Sequence, residues 1–129
     1  SLLLHLDDWS ERERFFHHSL ARKPIQWGAP VSKNIPYKLE HPVFDTDSAG
    51  RPVISYIDQF AEPRSMEEGL FLYELGEALE NAPERFKVPV PVGSMLVVNN
   101  HFWLHGRDAF EPHPELHREL LRQRGRFVD

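Results

Sequence analysis

Residues 88–106, VPVPVGSMLVVNNHFWLHG, constrain the fold more than any other stretch of the chain. The run is apolar and rich in valine, yet Pro89, Pro91, Gly93 and the Asn99-Asn100 pair cut it into short pieces. Gly93 reads as a turn, residues 95–98 as a strand of the buried type, and residues 102–104 as the strand resumed. His105-Gly106 closes it. Such pieces suit an antiparallel β architecture, in which tight turns join short strands.

The rest of the chain fits that frame. Residues 1–7 alternate, with Leu2, Leu4 and Leu6 on one face and Ser1, Leu3, His5 and Asp7 on the other. Residues 9–20 predict a short helix capped by Asp8 or Ser10. Residues 22–40 hold Pro24, Gly28, Pro30 and Pro36 and read as an extended connection. Residues 41–44 and 52–60 predict a hairpin around the polar turn Asp45-Thr46-Asp47-Ser48-Ala49-Gly50. Ser65-Met66-Glu67-Glu68 has the form of a capping box, and Pro83 ends the helix it opens. Met66, Leu70, Tyr73 and Glu77 fall on one stripe of that helix, widened by Leu72, Leu75 and Leu79. The fold class is therefore mainly β, a partial jelly roll or barrel half with one or two helices.

At 129 residues the chain spans one domain at most. A net charge of −5 argues against general nucleic-acid affinity, which needs excess Lys and Arg along one face. The absence of cysteine removes disulfides, thiolate metal sites and thiol nucleophiles, and fits a reducing cytoplasm. No apolar run approaches the roughly 20 residues that cross a bilayer as a helix. The opening SLLLHL turns acidic too soon for a signal peptide, and both ends read as cut from a longer protein.

Two constellations carry chemistry. His105 leaves a strand beside a glycine, where an imidazole can be fixed inward as a metal ligand; the bland alternative is a histidine bonded to a nearby carbonyl. Arg118, Arg122, Arg124 and Arg126 follow, and on a regular strand they share one face. That face is either a solvated basic surface or a guanidinium fork for dicarboxylates. His5-Leu6-Asp7 with His105 formally completes a two-His, one-carboxylate set, though so short a match arises by chance. His17 and His18 read as solvated, and His113 and His117 as loop residues. Phe71, Tyr73, Phe86, Phe102 and Trp103 read as core.

VPVPVGSMLVVNNHFWLHGRDAF resembles the C-terminal half of an iron(II)- and 2-oxoglutarate-dependent oxygenase of the taurine dioxygenase-like superfamily. SLLLHLDDW, SKN at 32–34, HPVFD, GRPVISYIDQF, PHPEL and RELLRQRG extend the likeness over nearly the whole chain, toward that superfamily's carbon-starvation-induced branch. The resemblance implies a double-stranded β-helix, with Fe(II) as metal and 2-oxoglutarate as co-substrate. It implies that glutarate, 2-oxoglutarate and O2 give 2-hydroxyglutarate, succinate and CO2. His105 then matches the distal iron ligand, and Arg122 and Arg124 the arginines that hold carboxylates, with Arg118 a third. Ser1 falls where relatives carry a threonine bonded to 2-oxoglutarate. The resemblance further implies a homo-tetramer, working on a small dicarboxylate with neither nucleic acid nor membrane as partner. The family's His-x-Asp iron pair lies upstream of Ser1, so His5-Leu6-Asp7 is not that pair and the chain alone is expected to be inactive. The same oxygenase class acting on another small substrate, or a non-enzymatic β-barrel module with a structural His105, are the alternatives.

Overall fold

The computed structural model describes residues 1–28, 38–106 and 125. Eight short strands and two α-helices lie among them: β1 (Leu2–His5), α1 (Arg12–Phe16), β2 (Ile25–Trp27), β3 (Leu39–His41), β4 (Phe44–Thr46), β5 (Pro52–Ile54), β6 (Ala61–Glu62), α2 (Met66–Glu80), β7 (Phe86–Lys87) and β8 (Trp103–Gly106). The strands form three small antiparallel sheets, ordered β7-β1-β8, β3-β2-β6 and β4-β5. The described part is thus mainly β with few helices, and its sheets are open rather than closed into a jelly roll.

One apolar cluster joins these pieces. Leu4, Leu6, Trp9, Phe15, Phe16, Ile25, Trp27, Val43, Phe44, Ile54, Phe71, Leu72 and Leu75 pack together and are buried. Trp9 stacks on Phe15 with ring centroids 5.4 Å apart, and Phe16 meets Phe44 edge-on at 5.9 Å. Each fully buried side chain of this size is worth about 1.5–3 kcal/mol, so this cluster is the main source of stability.

Helix α2 follows its sequence signals at the ends and departs from them around its girth. Ser65 Oγ accepts the Glu68 N–H at 3.1 Å, which satisfies one orphan donor of the first turn. The Glu68 carboxylate reaches the Arg64 N–H instead of that of Ser65, so the box closes one residue early. The buried face is Phe71, Leu72 and Leu75, while Met66, Leu70 and Tyr73 are exposed. The buried side is thus the part that widened the expected stripe, Leu72 and Leu75, with Phe71, whose ring lies 6.5 Å from that of Phe15. Gly76 lets the helix come close to a second partner. A Cβ there would lie 3.1 Å from the Tyr56 hydroxyl and 3.3 Å from Asp58 Oδ1. Tyr56 donates to Asp58 at 2.8 Å, and burial first, then this bond, pushes its hydroxyl pKa well above the ordinary tyrosine range.

The predicted hairpin forms with both arms moved: the first is Phe44–Thr46 rather than 41–44, since His41 pairs with Ile25, and the second is only Pro52–Ile54. Phe44 pairs with Ile54 and Thr46 with Pro52. Asp47 Oδ1 accepts the N–H groups of Ala49 and Arg51 at 2.9 Å, and Gly50 takes the left-handed conformation (φ +80°) that closes the turn. Gly93 (φ +86°) likewise makes its turn. Further expectations are corrected: the connection at 22–40 contains strands at Ile25–Trp27 and from Leu39, and the first helix is capped by Glu11 without a side-chain bond rather than by Asp8 or Ser10. The first strand stops at His5, because Leu6–Asp8 coil into a 3₁₀ turn. The first helix covers only Arg12–Phe16. Residues 95–98 belong to no strand among the described residues, and Met95 and Val97 are exposed rather than buried. An apolar run becomes a strand only where a neighbour completes its backbone hydrogen bonds, and none does so among the described residues.

Candidate functional site

The site is built on β1, the centre of its sheet. Leu3 lies opposite His105 on one side and Phe86 on the other, and His5 lies opposite Trp103. Directly opposed residues of an antiparallel ladder project from the same face, so His105, Trp103, Leu3, His5 and Phe86 share one side of the sheet. Leu4 and Leu104 share the other side and pack on the apolar cluster. The His105 face is therefore the face turned away from that cluster.

Ser1 joins the same row. Its amino nitrogen donates to the Val88 carbonyl at 3.0 Å, and the Val88 N–H donates to the Ser1 carbonyl at 2.8 Å, which carries the ladder one residue past β1. Strand alternation then sets Ser1 with Leu3 and His5. Two sequence-selected residues, Ser1 and His105, thus come onto one face from opposite ends of the chain. Arg107, Arg118, Arg122, Arg124 and Arg126 lie outside the described residues, as do His113 and His117.

Aromatic rings wall this face. The His5 ring meets Trp103 edge-on at 4.7 Å and stacks parallel to Phe102 at 6.3 Å. Phe86 meets Trp103 edge-on at 6.0 Å, and the Arg51 guanidinium lies 4.8 Å from the Phe102 ring centre. Trp103 and Phe102 are half-buried and Phe86 is exposed, so these rings line the site and lie outside the cluster assigned to them from sequence. Tyr73 is exposed on α2. The alternation of residues 1–5 and 103–105 held the signal for this wall; the β1–β8 pairing that turns it into a wall joins residues too far apart for local reading.

His5-Leu6-Asp7 does not act as a chelating pair. The 3₁₀ turn takes Asp7 out of strand alternation, and His5 Nδ1 accepts the Asp7 N–H at 3.0 Å. The Asp7 carboxylate is held by Arg12 at 2.8 Å. Among the described residues no group of three His, Cys, Asp or Glu side chains could hold a metal. His17 is solvated and bonded to Glu13, but His18 is half-buried, 4.5 Å from the Phe71 ring, with Nδ1 accepting the Leu20 N–H. That last placement overturns the solvated reading of His18. Among the described residues, no helix is long and apolar enough to cross a membrane.

The strands that carry this face lie within a match spanning residues 1–127 to the CsiD family. The chain belongs to the CsiD family. It is 60% identical over 128 residues to the glutarate 2-hydroxylase of Salmonella typhimurium (strain LT2), covering 99% of this chain and 39% of that relative. It is 59% identical to the glutarate 2-hydroxylase of Citrobacter koseri and 58% to that of Klebsiella pneumoniae, with the same coverage. The chain spans about two fifths of the length of these CsiD-type relatives.

Proposed function

We propose that this chain forms the C-terminal part of a single iron(II)- and 2-oxoglutarate-dependent oxygenase domain. The intact protein hydroxylates glutarate: glutarate, 2-oxoglutarate and O2 give 2-hydroxyglutarate, succinate and CO2. The observation that carries the reading is the pairing of Leu3 with His105, which brings His105 and Ser1 onto one sheet face away from the apolar cluster. The names of the family relatives supply the substrate.

The donor chemistry fits iron(II) in part. His105 offers an imidazole on an exposed strand end, a suitable ligand for Fe(II). The partner ligands, a His-x-Asp pair, come from the upstream portion of the intact protein. Iron(II), when bound, supplies the activation of oxygen. The chain's own residues bind and orient: His105 holds the metal, the Ser1 hydroxyl bonds 2-oxoglutarate, and Arg122 and Arg124, with Arg118, clamp the carboxylates of co-substrate and substrate. In this reading the three small sheets are part of a double-stranded β-helix, the intact protein is a cytoplasmic homo-tetramer, and the chain alone is inactive.

Succinate and CO2 release by the intact protein, with and without glutarate, tests the reading. Glutarate-stimulated turnover is expected; its absence removes the substrate assignment. His105→Ala is expected to weaken Fe(II) binding by more than the roughly 10–100-fold that loss of an outer-sphere partner costs. Unchanged iron affinity would make His105 structural. Arg122→Ala and Arg124→Ala should each cost about 2–4 kcal/mol of transition-state stabilisation, since each removes a charged partner from a dry site. Activity within a few-fold of the parent would return them to a solvated face.

A further inference from the structure

We infer that His5 is a substrate-binding residue, its Nε2–H a hydrogen-bond donor to a carboxylate of the diacid held beside His105. The inference rests on the oxygenase reading above and adds a residue to it.

Three observations converge on this ring. The first is position. His5 faces Trp103 across the ladder and Leu3 faces His105, so His5 is the diagonal neighbour of His105 on one face. Such neighbours stand about 7–8 Å apart. That separation suits a ligand whose reacting carbon lies at the metal and whose far carboxylate lies one rung along the sheet.

The second is protonation geometry. Nδ1 accepts the Asp7 N–H at 3.0 Å, so it carries no proton, and the neutral ring holds its hydrogen on Nε2. Capping the 3₁₀ turn accounts for Nδ1 alone. Among the described residues Nε2 has no hydrogen-bond partner, and the side chain keeps 24% of its exposure. One directed donor is left over.

The third is rigidity. The ring is set between Phe102, parallel at 6.3 Å, and Trp103, edge-on at 4.7 Å, while Arg51 backs Phe102 from 4.8 Å. A donor whose ring is already fixed loses little freedom when a carboxylate arrives, and this is how a neutral N–H contributes to affinity and to choice of substrate.

The test uses the intact protein loaded with Fe(II) and 2-oxoglutarate under anaerobic conditions, with glutarate titrated in by calorimetry. His5→Phe keeps the ring and removes both nitrogens. His5→Asn keeps an acceptor for the Asp7 N–H and withdraws the distal donor. Both variants are expected to bind glutarate at least tenfold more weakly, with Fe(II) and 2-oxoglutarate affinities within twofold of the parent. Glutarate affinity within twofold in either variant overturns the inference. So does a parallel loss of iron and 2-oxoglutarate binding, or failure of both variants to fold, since either outcome assigns His5 to holding the strand. The unsubstituted protein reports separately on the oxygenase reading: no glutarate binding there, or unchanged iron affinity in His105→Ala, fails that reading itself.

Discussion

Helix α2 and the stretch between β7 and β8 use the same kinds of side chain for opposite ends. Phe71, Leu72 and Leu75 of α2 sit inside a continuous apolar cluster with Phe15, Phe44 and Ile54. In the stretch between β7 and β8 the apolar residues stay open to solvent: Val97 is 70% exposed, Met95 84% and Val92 fully exposed, and Phe86 of β7 is 44% exposed. Scattered exposed apolar residues are ordinary, but a run of them close together in sequence marks a surface that meets something. The first region is therefore a finished core. The second is a prepared surface, and in the proposed domain it meets the upstream portion carried by the longer relatives.

The sharpest test of that contrast compares one substitution from each region in the intact protein. Phe71→Ala should cost about 3–5 kcal/mol in urea unfolding, through lost burial and an unfilled cavity. A cost below about 1 kcal/mol would break the picture of a finished core. Val97→Ser should cost about 1–3 kcal/mol if the longer protein covers residue 97, because a hydroxyl is then buried without a partner. If residue 97 stays open, the change falls within about 0.5 kcal/mol, and the prepared-surface view fails. Ser65→Ala removes the cap of α2 and should cost about 1 kcal/mol, read as a lowered thermal midpoint with glutarate binding unchanged. The smallest effect belongs to the hairpin turn. The Arg51 backbone N–H, against a smaller cost of desolvation and with help from the Arg51 side chain and the Ala49 N–H, holds the Asp47 carboxyl below the ordinary carboxylate range. A lowered folded-state pKa gives stability that is present above the unfolded value, near 3.9, and lost as pH falls through the folded one. Wild type should thus exceed Asp47→Asn in stability at neutral pH, and acid titration should shrink that advantage; an advantage that grows in acid would reverse the sign.

Local chemistry was legible; distant pairing was not. Ser65, Pro83, Asp47 and the two positive-φ glycines announce a cap, a stop and two turns through interactions a few residues long, and all of them appear as read. Phe71, Leu72 and Leu75 of α2 are buried as read, but Met66, Leu70 and Tyr73 are exposed, because the helix turns the Phe71 side toward Phe15. The run at 95–98 looked buried because composition reports what a segment can bury, while burial itself needs a partner. For the site, His105 stood out at a strand end and by resemblance and Ser1 by resemblance alone, but their shared face depends on Leu3 pairing with His105. His5 was weighed as a chelating partner of Asp7, and the 3₁₀ turn after β1 gives it a different task. Arg118, Arg122 and Arg124 lie outside the described residues.

The pairing of β1 with β8 has a consequence for how the protein is made. Leu2 must find Gly106 and His5 must find Trp103, so the strand synthesised early waits for one synthesised late. At roughly 5–20 residues per second, the intervening hundred residues take about 5–20 s to emerge. Through that interval Leu3 and Leu4 stand without the neighbours that later cover them, on a strand open along both edges. Binding capacity at this face thus waits for β8 to emerge, and until then the leucines of β1 are open to a chaperone.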